Sequence, residues 1–171
     1  MKDVFILAIE SSCDETAMAV IKNGNVELSH VINTQAEHFS KLGGVVPEMA
    51  SRMHVENINN VYKKTLSDAN ITIEDIDAIA VTYGPGLIGS LLVGVNFANS
   101  LAQIYNKKII PVNHMQGHIY ALELEHTIEY PMISLIVSGG HTEIVYVKNQ
   151  MEFEIIGQTL DDAVGESFDK V

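Results

Sequence analysis

The chain opens on an unbroken apolar run, Val4-Phe5-Ile6-Leu7-Ala8-Ile9, that stops at Glu10. A run this short and bordered by an acid does not make a signal peptide and reads as a buried strand. A second run, Ala17 to Ile21, ends at Lys22-Asn23-Gly24-Asn25, and a third follows from Val26 to Val31. Asn-Gly between two extended runs predicts a hairpin, since both residues tolerate the positive φ its tight turn needs. The period then changes. Gly43-Gly44-Val45-Val46-Pro47 reads as a loop feeding a helix with proline in its first turn, and Met49, Met53, Ile58, Val61 and Leu66 mark an apolar stripe along it. Asp77 to Thr82 returns as a strand, Gly84-Pro85-Gly86 turns the chain, and a long helix runs to about Tyr105. Ile109 to Val112 is a further strand, followed by a helix over Asn113-His114-Met115-Gln116-Gly117-His118.

The helix after Gly-Pro-Gly is apolar almost all round, which raises the question of a membrane span. Its marginal length and Asn96, Asn99, Ser100 and Gln103 argue against one. Ser90, Gly94, Ala98 and Ala102, spaced by four, form a small-residue row along which another element can pack closely. The helix is therefore expected to lie on a sheet and to be able to meet a partner.

An internal echo links the two ends of the chain. At an offset of 126 residues and without a gap, Ile9 to Asn23 lies over Leu135 to Asn149, matching Ser12 with Ser138, Thr16 with Thr142, Lys22 with Lys148 and Asn23 with Asn149. The identities are few but the pattern is one: apolar strand, small polar turn, threonine, apolar strand, Lys-Asn turn. A duplicated β-hairpin explains both halves with one fold.

Composition narrows the function classes. With 171 residues, 47% of them hydrophobic and 19% charged, the chain reads as globular, with one domain or two small ones. A formal charge of -12 argues against wrapping nucleic acid unaided, because phosphate affinity comes from clustered Lys and Arg. Cys13 is the one cysteine, so no internal disulfide can form; a lone thiol suits a reducing compartment and a cytoplasmic protein. With no paired histidine near it in sequence, it reads as a small buried filler.

Four segments carry candidate chemistry. His114 and His118 lie four residues apart, so on a helix they share a face and can aim a ring nitrogen at one ion. Two imidazoles suit zinc or iron, but a usable site needs a third ligand, usually a carboxylate. On spacing alone, two helix-surface histidines without a metal weigh about equally. Gly117 between them costs about 1 kcal/mol in a helix relative to alanine, which makes sense if something must approach the backbone there. Met115 stands where a zinc protease would carry its glutamate base. Ser138-Gly139-Gly140-His141-Thr142 joins two strands, and its bare glycines can bring backbone N–H groups close to a phosphate or carboxylate, though an ordinary hairpin turn is the commoner meaning. The equivalent first turn, with Ser12, carries Asp14 and Glu15, which would repel phosphate but could orient an attacking amine. Asp162, Glu166 and Asp169 share a helical face; a solvated acidic face is the default, and ribose binding the alternative.

Taken in order, Ile9-Glu10-Ser11-Ser12-Cys13-Asp14-Glu15-Thr16, His38 with Gly43-Gly44-Val45-Val46-Pro47-Glu48, Gly84-Pro85-Gly86-Leu87, the helix of His114 and His118, Val137 to Thr142, and Asp161 to Lys170 resemble the TsaD family. These are tRNA threonylcarbamoyladenosine transferases, long known as O-sialoglycoprotein endopeptidases, and the resemblance covers the whole chain. It implies an α/β, actin-like ATPase (ASKHA) fold built from ribonuclease-H-like lobes, each a mixed sheet flanked by helices. The expected organisation is a first lobe over 1–110, a metal-binding connector helix over 111–130, and over 131–171 a second lobe only begun. The family moves a threonylcarbamoyl group from threonylcarbamoyl-AMP to the exocyclic amine of the adenosine beside the anticodon, in tRNAs reading codons that begin with A.

By resemblance, His114 and His118 hold Fe2+ or Zn2+, while Ile136, Val137, Ser138, Gly139, Gly140, His141 and Asp169 hold threonylcarbamoyl-AMP or another adenine nucleotide. Ser12, Asp14 and Glu15 are further candidates for the cleft. The family's third metal ligand is an aspartate without a counterpart here, and its members run to roughly twice this length as two-lobe proteins. A fragment with little activity of its own is therefore expected. The implied partners are tRNA and TsaB-like and TsaE-like subunits, with no membrane; the helix from Leu87 to Tyr105 or that from Met49 to Leu66 would dock a homologous lobe or a second copy, or simply pack internally. A sugar or acetate kinase of the same fold is the rival enzyme reading, but such kinases hold magnesium on carboxylates and not on histidines. A noncatalytic TsaB-like scaffold lacks the histidine helix, and a metalloprotease lacks its base and ranks last.

Overall fold

The apolar runs pair side by side as strands. The computed structural model describes residues 2–169, Asp169 by its backbone alone. It separates into two compact units, 1–114 and 115–171, and the residues of the expected connector, 111–130, are shared between them.

In the first unit, β1 (Phe5–Glu10), β2 (Glu15–Lys22), β3 (Val26–Thr34), β4 (Ala78–Gly84) and β5 (Lys108–Asn113) form one mixed sheet in the order β3-β2-β1-β4-β5. β2 runs antiparallel to β1 and β3, while β1, β4 and β5 run parallel. Asn23 and Gly24 make the β2–β3 turn with φ of 54° and 90°, the left-handed pair that Asn-Gly supplies at little cost. β3 continues three residues past the expected Val31. A short helix, α1 (Ala36–Ser40), buries Phe39, and two long ones, α2 (Pro47–Asp68) and α3 (Ile88–Tyr105), cover the sheet.

The expected stripe of α2 holds at Ile58, Val61 and Leu66 and is displaced by one position in the first turns. Ala50, His54, Ile58, Val61, Thr65 and Leu66 are its buried residues, whereas Met49 and Met53 are only half-buried. Steps of four and three from Ala50 keep one continuous row toward the sheet, and residues one position away lie about 100° round the helix. On α3 the small row is inside as expected: Ser90, Gly94, Ala98 and Ala102 are all buried. A Cβ on Gly94 would come within 2.4 Å of Ser11 Oγ, so the helix lies on the sheet at a distance only glycine allows. The opposite face of α3 leaves Ile88, Leu92 and Ile104 exposed. Among the described residues, no helix is long and apolar enough to cross a membrane.

The second unit holds β6 (Met132–Val137), β7 (Thr142–Asn149) and β8 (Glu152–Gln158), an antiparallel sheet in that order. The helix α4 (His114–Tyr120) starts at the last residue of the first unit, and α5 (Val164–Asp169) is the last element described. Ile119, Ile136, Val145 and Val147 form the core of this unit, with Met115, Tyr130, Met132 and Phe153 around them. Ile133, Leu135 and Val137, on the other face of β6, are exposed.

The duplicated hairpin is present down to its register. Ile6 pairs with Ile21, Leu7 with Val20 and Ile9 with Met18; at the same offset of 126, Met132 pairs with Val147, Ile133 with Tyr146 and Leu135 with Ile144. The third strands also begin at that offset, at Val26 and Glu152. Beyond that point irregularities in the β7–β8 pairing break the match.

Candidate functional site

The parallel strands β1, β4 and β5 end at Glu10, Gly84 and Asn113, the edge at which open α/β sheets place their ligands. Side chains from all three ends meet there. Thr82 Oγ1 donates to Glu10 Oε2 at 2.7 Å, His114 Nδ1 lies 3.1 Å from the same oxygen, and the Ser12 backbone N–H donates to Oε1. Ser12 Oγ sits 3.3 Å from His114 Nδ1. Burial works against the charge on Glu10, but the hydrogen bonds from His114, Ser12 and Thr82 more than offset it and hold the carboxyl at about 2.

The turn between β1 and β2 is clamped from two sides. Leu87 N donates to the Ser12 carbonyl at 2.7 Å, and a Cβ on Gly86 would fall 2.5 Å from that oxygen. Here the Gly-Pro-Gly turn needs its last glycine for close approach. From α2, the fully buried His54 brings Nε2 to 2.9 Å from the Cys13 carbonyl and Nδ1 to 2.7 Å from Thr16 Oγ1. A carbonyl only accepts, so in the neutral ring the proton sits on Nε2 and Thr16 donates to Nδ1.

Of the three candidates on this turn, Ser12 is buried, Asp14 is half-buried with its carbonyl accepting from Gln35 N at 3.0 Å, and Glu15 is exposed at the start of β2. Cys13 corrects an expectation: it is exposed, not a buried filler, because it stands at the outside of the turn while its carbonyl points to His54. Atoms crowding the sulphur and the charge of Asp14 nevertheless push its thiol up to about 11.

In the second unit the turn closes on itself. Ser138 N donates to the His141 carbonyl at 2.8 Å, and His141 N donates to Ser138 Oγ at 3.2 Å. Thr142 Oγ1 accepts from Val164 N at 2.9 Å, and a Cβ on Gly165 would lie 2.6 Å from the Ser138 carbonyl. A Cβ on Gly139 or Gly140 would meet nothing within 4 Å, so the packing leaves that backbone open. Ile136 is turned into the core and Val137 is half exposed. Asp162 precedes α5, so it does not share a helical face with the exposed Glu166; a helix begun at Val164 is too short to include it. The side chain of Asp169 lies outside the described residues, as does Lys170.

α4 carries both His114, half-buried, and His118, exposed. Among the described residues, no cluster of three or more His, Cys, Asp or Glu could hold a metal ion. Two imidazoles on one helix, one of them bonded to a carboxylate, are donors of the kind that histidine metal sites use. Thr82 and His54 are residues that sequence reasoning passed over, and Glu10 and Thr16 entered it without a role at the site. Glu10 carried a signal as the acid that terminates an apolar strand, and Thr16 as the counterpart of Thr142 in the repeated hairpin.

Comparison with known proteins agrees with this construction. Residues 27–171 match the model of TsaD, tRNA N6-adenosine threonylcarbamoyltransferase. The tRNA N6-adenosine threonylcarbamoyltransferase of Staphylococcus haemolyticus (strain JCSC1435) is 59% identical over 170 residues, which are 99% of this chain and 50% of the relative. The protein of that name from Staphylococcus aureus (strain Newman) matches equally, at 59% over 170 residues, with the same coverage of 99% and 50%. The chain thus spans about half the length of the curated relatives it matches. Among solved structures, YeaZ from Pseudomonas aeruginosa superposes with a TM-score of 0.56 at 14% identity, over 91% of this chain and 66% of its own. The activator of the 2-hydroxyisocaproyl-CoA dehydratase from Clostridium difficile, with bound ADPNP, gives 0.51 at 13% identity, over 94% and 46%. These two share the fold, that of the actin-like ATPases. By its family match and by relatives of 59% identity, the chain belongs to the TsaD family of tRNA N6-adenosine threonylcarbamoyltransferases.

Proposed function

We propose that this chain works as part of an enzyme that transfers the threonylcarbamoyl group of threonylcarbamoyl-AMP to the exocyclic amine of the adenosine beside the anticodon, in tRNAs reading codons that begin with A. The observation that carries the reading is the 59% identity to transferases of that name across 99% of the chain. The kinase, scaffold and metalloprotease readings are not favoured by relatives of this kind.

His114 and His118 would hold Fe2+ or Zn2+, and the carboxylate already bonded to His114 supports that role. Such an ion, when bound, supplies a Lewis acid to polarise a substrate carbonyl. The turn from Ser138 to His141, with backbone that no side chain covers at Gly139 and Gly140, would receive the adenylate through its N–H groups, steadying the phosphate that leaves. Ile136 would contribute through its backbone, since its side chain is buried, and Val137 and Asp169 would complete the nucleotide site. Ser12, Asp14 and Glu15 would line the cleft, the acids orienting the attacking amine.

A chain of charge -12 needs help to bind tRNA. The groove between α2 and α3, lined by Pro47, Ser51, Val55, Leu92, Val93 and Phe97, would dock a TsaB-like subunit, with a second copy of this chain as the competing occupant. A TsaE-like subunit would join them, in the cytoplasm. The test is a chimera in which this chain replaces the matching half of the Staphylococcus haemolyticus relative. It should transfer threonylcarbamoyl to tRNA in the presence of the partner subunits, and His114→Ala with His118→Ala should remove both transfer and bound metal. A folded chimera without transfer sinks the assignment. Equal metal content with and without the two histidines sinks the metal site.

A further inference from the structure

Glu10 is held by contacts that do not involve His114. Its Oε1 accepts from the Ser12 backbone N–H and its Oε2 from the Thr82 hydroxyl at 2.7 Å, so strand ends at two points of the sheet fix the plane of the carboxylate. The His114 ring then meets this fixed acceptor with Nδ1, at 3.1 Å from Oε2. A carboxylate accepts and cannot donate, so the contact requires the proton on Nδ1. The second neighbour of that nitrogen, Ser12 Oγ at 3.3 Å, is a hydroxyl that can accept or donate and imposes nothing of its own.

We propose that Glu10 is a positioning residue for His114: it holds the ring with Nδ1 protonated and so presents Nε2 as the nitrogen with the lone pair that ligates a metal ion. The proposal rests on the metal reading above for its use, but the tautomer itself does not depend on a metal being bound. Thr82 is the supporting member, because it keeps Oε2 aimed at the ring.

The test uses the 171-residue chain, 15N-labelled, with the long-range proton–nitrogen correlation spectrum of its histidines recorded without metal at a pH where the rings are neutral. The wild-type His114 should show one tautomer, with the proton on Nδ1. Glu10→Gln keeps the shape but offers an NH2 that can turn toward Nδ1, so the tautomers should mix or reverse while the amide spectrum stays that of a folded chain. Thr82→Val should produce a smaller mixing. Titration with Co2+ should then show binding weaker by about 10- to 100-fold in Glu10→Gln. A wild-type ring protonated on Nε2, or a tautomer that Glu10→Gln leaves unchanged, overturns the proposal. A wild-type chain that binds no Co2+ overturns the metal reading instead, and the tautomer spectrum still decides the role of Glu10.

Discussion

The two hairpin turns of this chain are built on one plan and finished with opposite chemistry. In each, a serine carbonyl is covered by a glycine from a later segment, Gly86 over Ser12 and Gly165 over Ser138. In each, a threonine at the beginning of the outgoing strand, second in β2 and first in β7, is anchored from outside the hairpin, Thr16 by the ring of His54 and Thr142 by the backbone N–H of Val164. Between these shared supports, Cys13-Asp14-Glu15 in the first turn stands where Gly139-Gly140-His141 stands in the second. The first turn carries two acids beside a crowded thiol; the second presents bare backbone at Gly139 and Gly140, where a Cβ would meet nothing within 4 Å. The two hairpins share the frame that packing demands and differ in chemistry at the three positions between its supports.

The contrast can be sharpened by moving a thiol from one turn to the other. Cys13, with its thiol raised to about 11, should be alkylated slowly at pH 8, and its rate should climb about tenfold per pH unit as the thiolate forms. Gly139→Cys, at the equivalent position without crowding or an adjacent acid, should react roughly tenfold to a hundredfold faster at pH 8, after allowing for the greater nucleophilicity of the more basic thiolate. Equal rates would mean the two turns do not differ electrostatically.

The anchors come next in size. His54→Leu leaves a buried hydroxyl and a buried carbonyl without partners and should cost the first unit about 3 kcal/mol in urea unfolding. Thr142→Val removes one contact at a half-buried site and should cost about 1 kcal/mol. If the two losses match, the anchors are not as unequal as their burial implies. Gly86→Ala forces a Cβ onto a backbone oxygen that cannot move aside, and should destabilise by about 2 kcal/mol. Gly165→Ala makes the same clash on an exposed turn, and its main effect should be shifted amide resonances from Ser138 to Gly140. The smallest effect belongs to Gly139→Ala and Gly140→Ala: each Cβ enters open space, so stability should change by less than about 0.5 kcal/mol. A loss of nucleotide binding without a loss of stability there would separate the site from the fold.

Much of the frame was legible in the sequence because it is periodic. Apolar runs placed the strands of the first sheet, Asn23-Gly24 placed the β2–β3 turn, and the offset of 126 anticipated a register that the pairing of Leu7 with Val20 and of Ile133 with Tyr146 reproduces. The inward row of α3 followed from small residues four apart. The stripe of α2 held at Ile58, Val61 and Leu66 but not in the first turns, where Ala50 and His54 face inward in place of Met49 and Met53; His54 is polar, and hydrophobicity does not register a histidine buried with both nitrogens engaged. Cys13 was misread for the opposite reason, an apolar residue on the outside of a turn.

What the sequence determined by itself was therefore local: which segments are strands and helices, where the turns fall, and that one hairpin occurs twice. Only the tertiary structure decided which polar groups meet. Glu10 finds Thr82 across 72 residues and His114 across 104, and no periodicity spans such distances. Strand order sets those contacts: Glu10 reaches both because β1, β4 and β5 lie side by side and end at one edge.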